Sequence, residues 1–536
     1  MYKSERQQLA FTDFNQPVGL QLDPENRWIK MASHIPWAAM EKKYADLFPA
    51  KVGYPAKPFR LVMGSLIIQK IYDCPDRELV QMIRENPYLQ FFCGYPGYDS
   101  SREPFNASAL VGFRKRLTPE FLGDFNEMII DLAKGLLTGS AEPDGGADDA
   151  DHGSGPTGSG MSSDDSRTSL DGEQTAQPPG DDRNGPDRGA NEPVTSQCAE
   201  QPNSGTLMLD GTCAPSDIRY PQDLSLLNEA REKAEGIIDR LHESTGGRKP
   251  RTYRIKAAKQ YKAYIRKRRH TSRERRKAIR RQLGYLARDL RAIEELVSSG
   301  AVLSEKDEAL LATLQRVYDQ QKSMYDTRTH RVPDRIVSIE QPYIRPIVRG
   351  KVKDPTEFGA KIHMSISDGY ARFDYVSWDA FNEGTLLQQS AEAYRQREGH
   401  YPERILADKI YRTRANLSYC REHGIRLMGP PLGRPRKNPD ATREITRKDG
   451  IDRIEVERQF SLGKRCCGLG RIWTRRKETS ECSLGLSLIA LNLRNITRRL
   501  DLFFALRGAF SCVTPFLIHF VGLGTLPVVR RFRPSQ

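Results

Sequence analysis

Cysteine is scarce and scattered: the 536 residues hold nine, and none stands in a C-x-x-C pair. Most structural zinc clusters use that spacing, so a zinc centre is disfavoured. A large chain so thinly supplied suits a reducing compartment better than a disulfide framework. The first residues, MYKSERQQLAFTDFNQP, contain no apolar stretch of the kind a secretory signal requires, so a cytoplasmic location is expected. Long hydrophobic runs are missing as well. The most apolar segment, SCVTPFLIHFVGLGTLPVV at 511–529, is interrupted by two prolines and two glycines. It reads as a tail packed on the protein body or a partner, and no membrane association is expected. Negative charge is the last shortage: 69 Asp+Glu face 84 Lys+Arg, a formal net charge of +15. Such an excess implies a polyanionic partner and leaves the fold open.

The charge is also segregated. Residues 140–205 hold 14 acidic and 3 basic residues, so this stretch carries −11 and the rest of the chain +26. Nucleic acid is the leading partner for that remainder. The acidic stretch consists mostly of Gly, Ser, Pro, Asp and Thr, and it cannot bury enough surface to offset chain entropy. We expect a disordered acidic linker over 139–205, between a helical N-terminal domain (1–138) and a larger domain (206–505) with a tail over 506–536. Within the first, RLVMGSLIIQKIY (60–72) and PEFLGDFNEMIIDLAKGLL (119–137) have the spacing of amphipathic helices. ALVGFRKRL (109–117) carries Arg114, Lys115 and Arg116, which either touch phosphates or form a solvated helix face.

Past the linker, the apolar run TLML (206–209) ends in Asp210 and reads as a buried strand with a carboxylate at its C-terminal end. Residues 221–326 show helical periodicity and no strand signal, so three or so long helices are expected there as an insertion. Strand signals return after 335. FGAKIHMSISDGYARFDYVSW (358–378) alternates and turns at Ser367-Asp368-Gly369, a hairpin. A helix, the buried strand RILADK (404–409), another helix and the strand IRLMGPP follow. A helix from about Arg453 and one over 483–505 complete an α/β pattern. Inside the insertion, Arg248 to Arg281 hold 17 Lys+Arg and one acid, Glu274, in 34 residues. Like charges repel across i,i+4, and contact with a phosphate backbone relieves that repulsion. We therefore expect a basic helix gripping DNA, with Arg266, Lys267, Arg268 and Arg269 at its centre. A solvated helix is the alternative.

Breaking a phosphodiester needs an activated water and a stabilised leaving oxygen, which two divalent cations held by carboxylates supply. Asp210 and Asp408 both follow short apolar strands, TLMLD and RILAD, at the sheet edge where α/β proteins usually place their sites. In RIEVERQFSLGK (453–464), Arg453, Glu457, Phe460 and Lys464 fall within about 60° of one another on a helix, while Glu455 points some 160° from Glu457. That face can present a metal ligand between two phosphate-binding cations. An exposed salt-bridged helix has the same spacing.

In these motifs the chain resembles bacterial insertion-sequence transposases of the DDE superfamily, in the branch around insertion sequences four and five. Their third acid lies in a helix patterned Tyr-x2-Arg-x3-Glu-x6-Lys, matched here by Arg453, Glu457 and Lys464, with Gly450 in place of the Tyr. Leu207-Met208-Leu209-Asp210-Gly211-Thr212 resembles the family's LxxDGT, and Ala407-Asp408-Lys409-Ile410-Tyr411 its ADxxY. IVRGKVKDPTEFGAKIHMSISDG and GHYPERILADKIYRTRANL are similar to blocks of one subgroup. The resemblance implies an α/β RNase H-like catalytic core with a helical insertion, preceded by an all-α domain that binds DNA ends. It implies Asp210, Asp408 and Glu457 as catalytic ligands of two Mg²⁺ (or Mn²⁺) ions, with Arg453 and Lys464 on phosphate. It further implies DNA cleavage and strand transfer at element ends and target, a homo-oligomer on DNA, and a place at the bacterial nucleoid. Two alternatives share these residues: a nuclease or resolvase with the same core, and a non-catalytic DNA-binding descendant.

Overall fold

The computed structural model describes residues 14, 22–48, 55–138, 202–245, 249–348, 356–429 and 440–521. The expected acidic linker falls outside these residues as far as 201, and so does the tail from 522. Seven helices come first: α1 (Arg27–Ser33), α2 (Trp37–Ala45), α3 (Phe59–Tyr72), α4 (Asp76–Glu85), α5 (Pro87–Phe92), α6 (Ala109–Arg116) and α7 (Pro119–Thr138). Their starts follow local chemistry. Asn86 caps α5 by accepting from the Tyr88 and Leu89 N–H groups, with Pro87 in the first turn, where its missing N–H costs nothing. Helix α3 is buried almost all round and forms the centre of this region.

Strand β1 (Thr206–Pro215) leads into four long helices, α8 (Asp223–Thr245), α9 (Arg254–Arg266), α10 (Ser272–Ser298) and α11 (Glu305–Thr327). They are followed by β2 (Arg345–Val348), β3 (Thr356–Ser367), β4 (Tyr370–Ser377), α12 (Leu387–Glu398), β5 (Arg404–Ala407), α13 (Arg414–Glu422), β6 (Arg426–Leu427), α14 (Asp440–Cys466) and α15 (Lys477–Val521). The helical spacing over 221–326 thus appears as four helices. The expected single basic helix is two, α9 and α10. The chain breaks at Lys267–Thr271, where Thr271 and Glu274 form a reciprocal capping box that starts α10.

The sheet runs β2-β3-β1-β5-β6, with β4 also paired to β3. β1 is antiparallel to β3 and parallel to β5, and β5 is parallel to β6. The β3–β4 hairpin turns at Asp368 and Gly369, both at positive φ (53° and 80°), the backbone a two-residue turn with the twist of its strands requires. One expectation needs correction: Asp210 does not end its strand. β3 pairs with β1 all the way from Met208 to Pro215, so the chain stays extended five residues beyond Asp210. It is the parallel pairing with β5 that stops beside Asp210.

Apolar clusters flank both faces of the sheet. Leu207, Leu209, Ile405 and Ala407 pack with Leu387 and Ala391 of α12, while Met364 and Ile366 pack with Val456 of α14 and Leu488 and Leu491 of α15. The α1–α7 core is completed by α15, which contributes Cys482, Leu486, Ile489, Leu493, Ile496 and Leu500. Helices α8, α10 and α11 close a core of their own.

Candidate functional site

The last Cα pair between β1 and β5 is Leu209 with Ala407, so Asp210 and Asp408 are the next residues on two neighbouring parallel strands. Such strands lie roughly 5 Å apart, which sets the two carboxyls side by side. Asp408 caps the short turn Lys409–Tyr411, its Oδ1 accepting from the Lys409 N–H at 2.7 Å. Asp210 accepts from the Gly211 N–H at 2.8 Å. Burial pushes the Asp210 carboxyl up from the ordinary aspartate range. The Gly211 N–H and Arg453 oppose that rise, while the negative charges of Glu383 and Asp408 add to it.

Arg453 and Glu457 come from α14, which is tied to the sheet by ion pairs. Arg404 of β5 meets Asp449 at 3.0 Å and Asp452 at 2.8 Å, and Arg426 of β6 meets the same buried Asp449 at 2.5 Å. These contacts turn the Arg453 face toward Asp210. The Arg453 guanidinium lies 3.8 Å from Asp210 through Nη1 and 3.4 Å from Glu457 through Nη2. Nη1 is buried and makes no hydrogen bond. Glu455 is directed elsewhere, as the helical wheel predicts: Arg458 and Gln459 bind its carboxylate, and Gln459 in turn accepts from Asn495 of α15. Lys464 is half-buried two turns beyond Glu457.

The expected three-way convergence is not reached among the described residues: no three His, Cys, Asp or Glu side chains stand close enough to hold a metal ion. Asp210 and Asp408 adjoin, whereas Glu457 is 63% exposed on its side chain and stands on the far side of Arg453. Like charges repel, and the cation drawing the first and third acids toward one point is this guanidinium.

Sequence reasoning missed several residues here. Glu383 lies in a short turn (Glu383–Thr385), and its carboxylate abuts Gly211 so closely that a Cβ there would push it aside. Lys361 of β3 pairs with it at 3.0 Å and also donates to the Phe381 carbonyl at 2.6 Å. Asn416 then ties that turn to the Asp408 turn by donating to the carbonyls of both Gly384 and Tyr411. Tyr411 itself is fully buried and bonded to His363, so it braces the turn from behind. No local signal announces such contacts; of these residues only Tyr411 stood in a motif, ADxxY.

The expected phosphate-binding cations divide sharply. Arg114 is 7% exposed and its guanidinium is committed to Asp76 (2.5 and 3.1 Å) and Gln69 (2.7 Å), so it holds α6 to α4 and is not a surface contact. Lys115 and Arg116 are exposed, Arg116 over the Phe48 ring. Arg266, Lys267, Arg268 and Arg269 are all exposed around the α9–α10 break, with Lys267 paired to Glu274. Three tyrosines within this basic stretch pack on neighbouring segments: Tyr261 bonds Ser225 of α8, Tyr253 lies against Tyr285 of α10, and Tyr264 stacks on His270. No helix of the described residues is long and apolar enough to cross a membrane.

Residues 405–494 match the family described as Transposase DDE domain, a span that holds Asp408, Arg453, Glu457 and Lys464 but not Asp210. Residues 18–116, covering most of the N-terminal helices, match one described as Transposase domain. The "Uncharacterized protein ORF8 in nfe locus" of Rhizobium meliloti is 32% identical over 123 residues, 23% of this chain and 58% of that protein. The chain thus spans under two thirds of that relative's length. No solved structure matches.

Proposed function

We propose that this chain, which belongs to the insertion-sequence DDE transposases, cuts DNA at element ends and joins the freed 3′-OH to target DNA. The observation that carries the reading is the pair Asp210 and Asp408, abreast where two parallel strands part and faced by an α14 surface bearing Arg453 and Glu457. An antiparallel β1-β3-β4 meander with two parallel strands beyond β1 is the order of an RNase H-like core, and we read the sheet so. The α8–α11 helices are then an insertion between its first strand and the rest, and α1–α7 an end-binding domain.

The donor set suits hard divalent cations: all three groups are carboxylates, and Asp408 and Glu457 are exposed. Asp210, Asp408 and Glu457 would hold two Mg²⁺ or Mn²⁺ ions, which when bound supply an activated water and neutralise charge on the leaving oxygen. The protein's own residues do the rest. Arg453, whose Nη1 is unbonded, exchanges its contact with Glu457 for a phosphate oxygen, and Lys464 binds the strand two turns along the same face. Arg404 and Asp449 keep α14 at a fixed angle to the strands, and Asn416 keeps the Glu383 and Asp408 turns together. The exposed cations of the α9–α10 break bind duplex backbone without reading sequence.

Incubating the protein with labelled duplex from the flanks of its own coding region, with Mg²⁺, should give both cut and joined products. Asp408→Asn should lower cleavage by roughly a thousand-fold or more and leave duplex affinity nearly unchanged. Glu455→Gln should retain cleavage. Cut products without joined ones would favour the nuclease reading, and undiminished cleavage in Asp408→Asn would overturn the site.

A further inference from the structure

A cleft of about 590 Å³ opens between the end of α3 and the turn that enters α15, lined among others by Lys70, Arg114, Trp473, Arg475, Arg476 and Ser483. It is remote from the carboxylates. Ile472 bridges to Ser216, six residues past Asp210 along an extended chain, which is about 20 Å at the rise of a strand.

Two features of this cleft are unusual. Lys70 is 9% exposed, and its ammonium donates to the Ser483 hydroxyl at 2.5 Å. Among the described residues it forms no ion pair. Burial, with help from the Arg114 charge, brings its pKa down to about 8. A buried ammonium facing a hydroxyl, with the Asp73 charge on the cleft wall only partly offsetting its burial, is a poorly compensated cation, and an anion entering the cleft would relieve it. The second feature is Trp473. The other three tryptophans are buried at 3%, 0% and 6% exposure (Trp28, Trp37, Trp378), whereas Trp473 is 56% exposed. The Arg471 guanidinium lies over its ring at 5.1 Å, and Arg475 and Arg476 are exposed beside it. Three nearby acids are engaged, Asp76 with Arg114, Glu340 with Arg475 and Asp217 with Arg471, while Asp73 stands exposed on the cleft wall and offsets part of the positive charge.

We propose that this cleft binds an unpaired nucleotide of a DNA strand, its base on Trp473 and its phosphate among Lys70, Arg475 and Arg476. An exposed ring amid cations is the combination that holds single strands, because every base has a face to stack and every link a charge. A duplex cannot use it, since its bases are already stacked on one another. The choice of DNA as the ligand rests on the function proposed above; the cleft chemistry does not.

The test is tryptophan fluorescence of the full chain during titration with an oligothymidylate of about ten nucleotides. Quenching is expected, and it should vanish in Trp473→Phe if the ring stacks on the base, because the remaining tryptophans are buried. Trp473→Ala should weaken binding roughly ten-fold. Lys70→Met, and separately the exposed pair Arg475→Gln with Arg476→Gln, should each flatten the salt dependence by about 0.7 per lost phosphate contact. The paired surface variant keeps the test open should Lys70→Met fold poorly. Equal quenching by a blunt duplex, or quenching unaltered in the Trp473 variants, overturns the proposal. Tighter binding of free thymidine triphosphate than of the strand would replace the strand with a free nucleotide. Run on Asp408→Asn protein, the titration should be unchanged. Cleavage without quenching sinks only this inference, and quenching without cleavage sinks only the proposed reaction.

Discussion

The two helical regions of the molecule treat the same residues in opposite ways. In α1–α7, Arg60, Lys70 and Arg114 are buried: Arg60 donates to the Phe91 and Phe92 carbonyls, Lys70 meets Ser483, and Arg114 holds Asp76. In α9 and α10, Arg266, Lys267, Arg268 and Arg269 stand in solvent. Basic character in the sequence therefore says little about DNA contact until burial is known. The cores differ too. That of α1–α7 is finished by six side chains of α15, some 350 residues further along the chain, while α8, α10 and α11 close on themselves with help from Ile336 and Ile339.

The largest test of that contrast is deletion. Removing the chain from residue 477 should unfold α1–α7: losing six buried side chains at about 2–5 kcal/mol for each large one exceeds the whole stability of a typical domain, roughly 5–15 kcal/mol. Replacing residues 221–335 with a short Gly-Ser connection should leave the remainder folded and strip most of its nonspecific DNA affinity. Urea unfolding followed by circular dichroism reads both, and a folded protein without α15 would erase the comparison.

A smaller effect is that the two regions should answer acid with opposite signs. Burial lowers His34, against α15, to about 4, so its folded form binds fewer protons than the unfolded chain between pH 6.5 and 4. Stability there should fall as pH drops through that window, by up to about 3 kcal/mol. Burial and the adjacent Glu235 raise Asp289 in α10 to about 7. The folded state then holds the extra proton, so stability of α8–α11 should rise as pH falls from 7 toward 4, by up to about 4 kcal/mol. Asp289→Asn should flatten that slope, and His34→Gln the other. Urea midpoints of the full chain and of the protein lacking residues 221–335, across pH 4–8, provide the measurement, since the second keeps His34 and α15 but not Asp289.

The smallest expected difference separates the two kinds of arginine. Arg114→Ala should cost about 2–4 kcal/mol, because it strands the partly buried Asp76 carboxylate. Arg268→Gln with Arg269→Gln should change stability by under about 0.5 kcal/mol and flatten the salt slope of duplex binding by about 2. A stability loss in the second pair, or none in the first, would reverse their roles.

Much of the fold was legible. Alternation over 358–378 and the Asp-Gly turn appear as β3 and β4, and helical spacing located α3, α7 and α12–α14 approximately. Asp210 was misread as a strand end because the apolar run stops there, whereas extension to Pro215 depends on pairing with β3, which no local pattern announces. IRLMGPP shrinks to the two residues Arg426–Leu427 for a similar reason: β5 offers it only two partners. At the site, the order Arg453, Glu457, Lys464 on one face and the contrary direction of Glu455 were readable, but Glu383, Lys361, Asn416 and the Arg404–Asp449 anchor were not.

What the sequence alone determined are quantities with a short period: which segments are helical or extended, which residues share a helix face, and where charge is too dense to ignore. Backbone geometry repeats every two or 3.6 residues, so these patterns need no knowledge of the rest of the chain. Tertiary structure decided everything that depends on burial and on meetings between distant segments. It placed α15 in the core of α1–α7, hid Arg114 while leaving Arg266 to Arg269 in water, and set Arg453 between Asp210 and Glu457. A charge owes its role to the dielectric and the partner around it, and both are supplied by residues hundreds of positions away.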